Sequence, residues 1–340
     1  FFKNRYGLFS FGLIGSKLDN HPLVIDADII YLHWINNGLM SWKSIFDIFS
    51  LGKNVVLFSH DMWFFSGGCH QSYGGGDIVL NNKKFHVFGL EYFNNRFLKK
   101  LVISSFEKKV NAYSNYENIH VIVPSSQFYN FAIKSNIISD LRLHFIPNIL
   151  NTEKFLPNNL VNNKKIQVLY GALGGKDNPY KGWEDFVFFA ETISRKLPNI
   201  VGFQIFGYDF DDDDLNNLPF NVTSHGVVFN EDSLIKIYQN TDYFIFPSSQ
   251  ESYGQTLVEA MSCGVIPIAY DVGIASDVII NFFNGVVVKS FSKKLLVNAF
   301  EELIKLDLIE LKKNVRKTIL NNQSKSLVLQ KHLNLIFNIS

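Results

Sequence analysis

The feature that most constrains this 340-residue chain is a regular alternation of short apolar runs with helical stretches. The runs are rich in β-branched and aromatic residues, and they end at polar, proline or glycine residues. Because parallel strands are joined by long crossovers, usually helices, this alternation predicts βα units and parallel sheets. Strands are predicted at 29–34, 55–60, 120–125 and 143–147 in the first half and at 167–173, 202–207, 242–247 and 265–270 in the second, with weaker candidates at 223–228 and 285–288.

A polar segment at 147–157, bracketed by prolines, predicts the connection between two domains. We expect an α/β chain with two Rossmann-like, doubly wound domains at 1–150 and 151–320 that face each other across a cleft. A C-terminal helix at 321–340 is expected to pack back on the first domain. That domain has only four predicted strands, so two further βα units of about 30 residues each are expected before Phe1.

Overall charge and cysteine content exclude several classes of protein. The net charge of +1 gives no support for nucleic-acid binding, and Cys69 and Cys263 are too few and too far apart for a disulfide scaffold. No apolar run is long enough to span a bilayer. The basic stretch at 96–109 has two open interpretations, a solvated helix or an amphipathic face that rests on anionic lipid.

The most informative segment is 246–264, where a buried strand is followed by a polar loop and a predicted helix at 254–263. Gly254 lets the backbone approach a ligand, and the free N–H groups of the helix start suit a diphosphate. Glu251 lies just before this helix and Glu259 lies about two turns along it. Carboxylates beside a phosphate site are best explained as acceptors for sugar hydroxyls, although two incidental glutamates on an amphipathic helix remain an alternative.

Other chemistry-bearing residues have competing interpretations. The acidic run at 209–214 contains an Asp-x-Asp pattern that could hold a divalent metal, but a solvated loop explains it as well. His60, Cys69 and His70 match no structural zinc spacing. The His33–Trp34 pair follows a predicted strand, where function and core packing are both plausible.

Several motifs, in order along nearly the whole chain, resemble the retaining glycosyltransferase family 4 of the GT-B fold. The hallmark of that family is two glutamates separated by seven residues, as in Glu251 and Glu259. The loop at 60–70 is similar to the histidine-containing loop of its bacterial polysaccharide members. The segments at 123–126 and 146–148 look like its last strands before the linker, and Lys181-Gly182 matches the pair that opens the first donor-domain helix.

The resemblance implies a role for each matching residue. Glu259 would bind the nucleotide ribose, Glu251 would bind donor-sugar hydroxyls, Lys181 would neutralise the diphosphate, and His60 would lie near the anomeric carbon from the opposite domain. The family arginine before the Lys-Gly pair is absent, and Lys176 is the candidate replacement. The implied catalytic residues are His60, Asp61, Glu251 and Lys181, and the implied donor-binding residues are Lys176, Lys181, Glu251, Ser252, Tyr253, Gly254, Gln255, Thr256 and Glu259.

The resemblance also implies a substrate class, without a metal or cofactor. The donor would be UDP-hexose or UDP-N-acetylhexosamine, with a GDP-sugar second. The acceptor would be a polyprenyl-diphosphate-linked saccharide in bacterial O-antigen synthesis. The first domain would bind the acceptor, and the cytoplasmic protein would lie at the inner face of the plasma membrane. A nucleotide-sugar epimerase of the same fold and a non-catalytic nucleotide-sugar-binding partner are the alternatives.

Overall fold

The computed structural model describes residues 8–36, 38–71, 74–158 and 165–339. The chain divides into two compact units, one reaching to Pro147 and resuming at Gln330, and the other running from Asn148 to Leu329. Each unit is built on a parallel sheet with helical crossovers, so the chain is an α/β protein as predicted. Among the described residues, no helix combines the length and apolar character needed to cross a membrane.

The first unit is centred on a four-stranded parallel sheet with the order β1-β2-β5-β6. Its core is rich in aromatic and branched aliphatic residues, including the fully buried Val55, Val56, Phe106 and Ile122. The strands and helices of this unit up to Pro147 are β1 Ile29–Leu32, β2 Asn54–Phe58, β3 Gly75–Leu80, β4 Lys83–Phe88, β5 Ile119–Val123, β6 Leu143–Phe145, α1 Pro22–Ile25, α2 Trp42–Phe49, α3 Arg96–Asn115 and α4 Ser126–Ser135.

The antiparallel hairpin of β3 and β4 has no counterpart among the predicted strands. Its two-residue turn is Asn81-Asn82, and both residues have positive φ, 48° and 63°. Asparagine tolerates this left-handed conformation, which a type I′ hairpin turn requires. The pair of asparagines between Asp77-Ile78-Val79-Leu80 and Lys83-Lys84-Phe85 was therefore the sequence signal for this hairpin.

The second unit contains a six-stranded, all-parallel sheet with the order β12-β11-β10-β7-β8-β9. The strand order reverses between β7 and β10, which makes their carboxyl ends a topological switch point, the usual ligand position in such sheets. The strands and helices from this unit to the end of the described chain are β7 Ile166–Gly171, β8 Val201–Phe206, β9 Val222–Ser224, β10 Tyr243–Phe246, β11 Ile266–Tyr270, β12 Val286–Val288, α5 Trp183–Lys196, α6 Asp212–Asn216, α7 Glu231–Gln239, α8 Gln255–Ser262, α9 Ala275–Val278, α10 Lys293–Leu303, α11 Leu308–Gln323 and α12 Lys325–Ile339.

One local prediction in this unit was wrong. The acidic run at 209–214 is not a loop throughout, because α6 begins at Asp212. Asp211 caps α6, and its Oδ1 accepts a hydrogen bond from the Asp214 N–H at 2.7 Å. Three acidic residues lie in the first turn, where negative charge interacts favourably with the positive end of the helix. The acidic residues that were predicted to form a solvated loop therefore stabilise a short helix.

Candidate active site

The start of α5 lies against the end of β10 at the switch point. Gly182 precedes α5 with φ +70°, and a Cβ at this position would lie 2.0 Å from the carbonyl oxygen of Pro247. No side chain could be accommodated there without moving the backbone. Glycine therefore allows the Lys181-Gly182 pair to contact the loop that follows β10.

Lys181 and Glu251 meet directly at this contact. The Lys181 Nζ lies 2.6 Å from the Glu251 Oε1, and the two side chains are 23% and 10% exposed. An ion pair this poorly hydrated must be held by its surroundings, because burial removes water from both charged groups. The two residues with implied diphosphate and sugar roles are thus one electrostatic unit.

The helix α8 begins with backbone N–H groups that are unpaired within the described chain, and it has no side-chain cap. Gly254 lies at the N-cap position with φ +106°, and as a glycine it has no side chain that could cap the helix. The N–H groups of Gln255 and Thr256 have no acceptor within the described residues. An uncapped helix start carries partial positive charge and free donors, so it can bind an anion.

The loop before α8 is fixed by hydrogen bonds between Tyr253 and later parts of the same unit. The Ile274 N–H donates to the Tyr253 carbonyl oxygen at 2.7 Å, and the Tyr253 hydroxyl donates to Gln323 Oε1 at 3.0 Å. Tyr253 is only 2% exposed. The phenol therefore acts as an anchor that positions Ser252 and Gly254 and not as a ligand contact.

Glu259 has a half-buried carboxyl group, and burial disfavours its ionised form. Burial raises the pKa of Glu259 to about 7, although hydrogen bonds from Gln255 and Tyr238 act in the opposite direction. The Tyr238 hydroxyl donates to Glu259 Oε2 at 3.3 Å. A carboxyl group that is poorly solvated and titrates near neutrality is typical of a functional site.

Lys176 contacts the acidic run at 209–214. It forms an ion pair with Asp214, and this hydrogen bond raises the pKa of Lys176 and lowers the pKa of Asp214. To contact a phosphate, Lys176 would have to leave that partner. The described residues contain no group of three or more His, Cys, Asp or Glu side chains placed to hold a metal ion.

In the first unit, His60 follows β2 and pairs with a second histidine. The His60 Nε2 lies 2.8 Å from His33 Nδ1, and the rings are stacked with centroids 5.1 Å apart. Burial lowers the pKa of His60, and the neighbouring His33 lowers it further. Both rings are therefore uncharged near neutral pH, with one nitrogen donating to the other.

Asp61 is held by three donors. Its Oδ2 accepts from Trp34 Nε1 at 2.9 Å and from His70 Nδ1 at 2.6 Å, and its Oδ1 accepts from the Trp63 N–H at 2.8 Å. His70 is 4% exposed, and its Nε2 lies 2.8 Å from Ser10 Oγ. This arrangement makes Asp61 an anchor for Trp34 and His70 rather than a free base.

A buried lysine supports the same loop from α3. Lys109 is fully buried and donates to the carbonyl oxygens of Trp63 and Ser66, while Tyr113 donates to that of Phe64 at 2.9 Å. Burial lowers the pKa of Lys109 to about 7. Lys109 therefore cannot belong to a lipid-facing surface, which corrects the predicted extent of the basic stretch at 96–109.

Residues 158–322 match the protein family described as glycosyl transferases group 1. Every candidate donor-binding residue, from Lys176 to Glu259, lies within these matched residues, whereas His60 and Asp61 lie outside them.

Two curated relatives and a solved structure are also similar to this chain, and one of the relatives and the structure match well beyond residues 158–322. The chain is 27% identical over 164 residues to alpha-galactosylglucosyldiacylglycerol synthase of Streptococcus pneumoniae, covering 42% of this chain and 41% of the synthase. It is 22% identical over 287 residues to an uncharacterized glycosyltransferase of Methanocaldococcus jannaschii, covering 77% of this chain and 69% of the relative. The chain thus spans less than half the length of the synthase.

The solved structure is that of Anabaena HepE in complex with UDP. It matches with a TM-score of 0.67 and 14% identity, over 93% of this chain and 80% of HepE. This likeness shows the GT-B fold, with two Rossmann-like domains, as expected from the sequence.

The sequence did not reveal the residues that position a candidate site residue without themselves being candidates for ligand contact. Tyr238 supports Glu259, and Gly273 packs so tightly that a Cβ there would lie 2.3 Å from the Tyr253 carbonyl oxygen. Neither residue belongs to a short motif. His33 and Trp34 did carry a signal, because they follow β1 at its carboxyl end, and the structure joins them to His60 and Asp61.

Proposed function

We propose that this chain is a retaining glycosyltransferase that moves a hexose or N-acetylhexosamine from UDP to a lipid-linked saccharide. The observation that carries the proposal is the Lys181–Glu251 ion pair beside the uncapped start of α8, at the switch point of the second sheet. This arrangement places a cation and free N–H groups for a diphosphate next to an acceptor for sugar hydroxyls.

The donor diphosphate lies at the start of α8 in this proposal, with N–H groups of Gln255 and Thr256 as donors. Lys181 shares its charge between Glu251 and the distal phosphate. Lys176 adds a second cation when it exchanges Asp214 for phosphate. Negative charge grows on the diphosphate as the sugar leaves, so these groups stabilise the transition state more than the ground state.

The two glutamates bind hydroxyl groups at the ends of the donor. Glu251 accepts from the sugar, and Glu259 accepts from the ribose. Glu259 binds two hydroxyls best when it is ionised, since a carboxylate is an acceptor only. Its pKa of about 7 therefore links donor affinity to pH in the neutral range.

Transfer proceeds by same-face displacement. The bond between the anomeric carbon and the phosphate oxygen breaks while the acceptor oxygen bonds to the same face of that carbon. The acceptor proton passes to the departing phosphate oxygen, UDP leaves, and the configuration is retained. This scheme includes no metal or organic cofactor, because Lys181 and the helix N–H groups supply the positive charge. His60 is the residue of the first unit proposed to act on the sugar, with Asp61 positioning its loop.

The names of the matching proteins support the substrate class. One relative is named as a synthase of a galactosylglucosyl lipid, and HepE was crystallised with UDP. We therefore favour a UDP-sugar over a GDP-sugar, and a polyprenyl-diphosphate saccharide of bacterial surface polysaccharide as acceptor. A peripheral position at the inner face of the plasma membrane follows from such an acceptor.

A donor screen with product analysis tests the proposal. The chain is incubated with UDP-glucose, UDP-N-acetylglucosamine or GDP-mannose and a polyprenyl-diphosphate saccharide, and the new linkage is assigned by proton NMR. An α-linked product from an α-linked UDP-sugar supports retention, and a β-linked product contradicts it. Conversion of the donor without any acceptor would favour an epimerase instead. Donor binding without any turnover would favour a binding partner.

A further inference from the structure

A cavity of about 470 Å³ lies in the second unit beside α11. Its position in the fold separates it from the proposed donor site. Thr241 precedes β10 and Gly264 precedes β11, so the cavity lies at the amino-terminal edge of the sheet, whereas Glu251 follows the carboxyl end of β10. We call this cavity the α11 groove, and the α11 residues that line it include Ile309, Lys312, Lys313, Arg316, Lys317 and Leu320.

The charges of the α11 groove are all of one sign. Four of its lining residues are cationic and none is Asp or Glu. Lys312 is neutralised by the buried Asp242, with its Nζ 2.5 Å from Asp242 Oδ1. Arg316 donates to carbonyl oxygens, including that of Thr152 at 2.8 Å, and has no carboxylate partner among the described residues.

Lys313 and Lys317 supply the charge that faces outward. Both are exposed, one turn apart on α11, and neither has a hydrogen-bond or ion-pair partner in the part of the chain that the structure describes. Two lysines one turn apart on a helix repel each other weakly, so an anion that contacts both would be attracted by two charges at once.

The same face of α11 is also apolar. Ile309 is 53% exposed and Leu320 is 41% exposed. The spacing of 309, 313, 317 and 320 places the two apolar and two basic residues on one stripe of the helix. A stripe of lysines with apolar neighbours suits a ligand whose anionic group adjoins a hydrocarbon part. A freely soluble phosphate would use the lysines but leave Ile309 and Leu320 in water.

We propose that the α11 groove is a docking surface for the phosphate headgroups of anionic membrane lipids. Lys313 and Lys317 contact headgroup phosphates, Arg316 adds long-range attraction, and Ile309 and Leu320 enter the boundary with the acyl chains. The surface is independent of the proposed sugar transfer, because it uses none of the donor-binding residues. It would hold the second unit at a membrane whether or not the acceptor is a lipid.

The test is co-sedimentation of the full chain with vesicles of equimolar phosphatidylglycerol and phosphatidylcholine, and with phosphatidylcholine alone. The double variant Lys313→Gln/Lys317→Gln should bind the anionic vesicles about 30-fold more weakly, because each cation near an anionic surface contributes several-fold. The matched control is Lys99→Gln/Lys100→Gln on α3, which removes equal charge from the other basic stretch. Thermal melting of both variants checks that they are folded.

Any of the following three vesicle results would overturn the proposal. They are failure of the chain to bind anionic vesicles, undiminished binding by the α11 variant, and loss of binding in the α3 control alone. Titration with inorganic phosphate separates the two sources of phosphate. Binding of inorganic phosphate at Lys313 and Lys317 without vesicle binding would also contradict a lipid partner. Donor titration is a separate readout, so failure here leaves the proposed transfer to its own test.

Discussion

The Lys181 Nζ lies 2.6 Å from Glu251 Oε1, and this ion pair joins the start of α5 to the loop after β10. Seventy residues separate the two along the chain. Each holds the other in the position where the proposed donor would meet it. The pair therefore has a structural role in the free protein and a chemical role when a donor binds.

Removal of either partner should affect activity much more than folding. We expect Glu251→Ala and Lys181→Met to lower kcat/KM for transfer roughly 100- to 1000-fold, the range found when a group that stabilises transition-state charge is lost. Each variant should lose about 1–3 kcal/mol of unfolding free energy, because the remaining charge is poorly hydrated. Steady-state kinetics and denaturant unfolding measure both effects. Near-normal transfer by Glu251→Ala would refute the assignment.

Glu259→Gln should stabilise the protein above neutral pH while weakening donor binding. The pKa of Glu259 is raised from 4.5 to about 7, so the folded protein keeps a proton that the unfolded chain releases between those values. Wild-type stability relative to the variant therefore falls as pH rises from 4.5 to 7 and is constant above. We expect an advantage of roughly 1–3 kcal/mol for the variant at pH 8 and none at pH 4.

Thermal melting across this pH range checks the stability, and calorimetric titration with UDP checks the binding. Equal stability of the two proteins at pH 8 would show that Glu259 carries no desolvation cost. Unchanged affinity for UDP would remove it from the ribose site.

Gly182→Ala should disrupt the contact that positions Lys181. The added Cβ would lie 2.0 Å from the Pro247 carbonyl oxygen, and φ is +70°. Gly52 offers a matched control, because its φ is +73° but no atom lies within 4 Å of an added Cβ. Gly52→Ala should lower the free energy of unfolding by about 1 kcal/mol, because only the backbone conformation is strained. Gly182→Ala should lower it by about 2–4 kcal/mol and should also abolish transfer. Similar melting temperatures for the two variants would contradict the steric argument.

Lys109 should give the first unit an unusual pH dependence. Its pKa is about 7 in the folded protein against 10.5 as the ordinary value, so the unfolded chain binds the proton more tightly. Stability relative to Lys109→Met should therefore rise as pH increases from 7 toward 10, by about 1 kcal/mol or more. Chemical unfolding of both proteins at pH 7 and pH 9.5 makes the comparison. A difference that stays constant with pH would show that Lys109 keeps its ordinary pKa when folded.

Elements with a strong local pattern could be predicted from the sequence. The apolar runs at 55–60 and 242–247 correspond to β2 and β10, because a strand buried on both faces must be apolar throughout. The helix after Gly254 was also predicted, since a glycine followed by a stretch of helix-forming residues is a local signal.

Elements whose pattern was ambiguous could not be predicted. The β3–β4 hairpin was missed, although Asn81-Asn82 marks its turn, because each six-residue strand mixes apolar residues with glycine or charged ones. Lys109 was assigned to a solvated or lipid-facing surface, although it is fully buried under the loop that carries His60. A lysine in a basic stretch gives no local sign that carbonyl oxygens from elsewhere will surround it.

By itself, the sequence determined the α/β class, the parallel sheets and the segment that carries Glu251 and Glu259. These follow from periodicity and turn residues, which act over a few neighbouring positions. Only the tertiary structure decided that Lys181 pairs with Glu251 and that Asp61 is held by Trp34 and His70. It also decided that Lys313 and Lys317 have no ion-pair partner among the residues that the structure describes. Charge partners are chosen by which distant segments the fold brings within a few ångströms, and no local pattern contains that information.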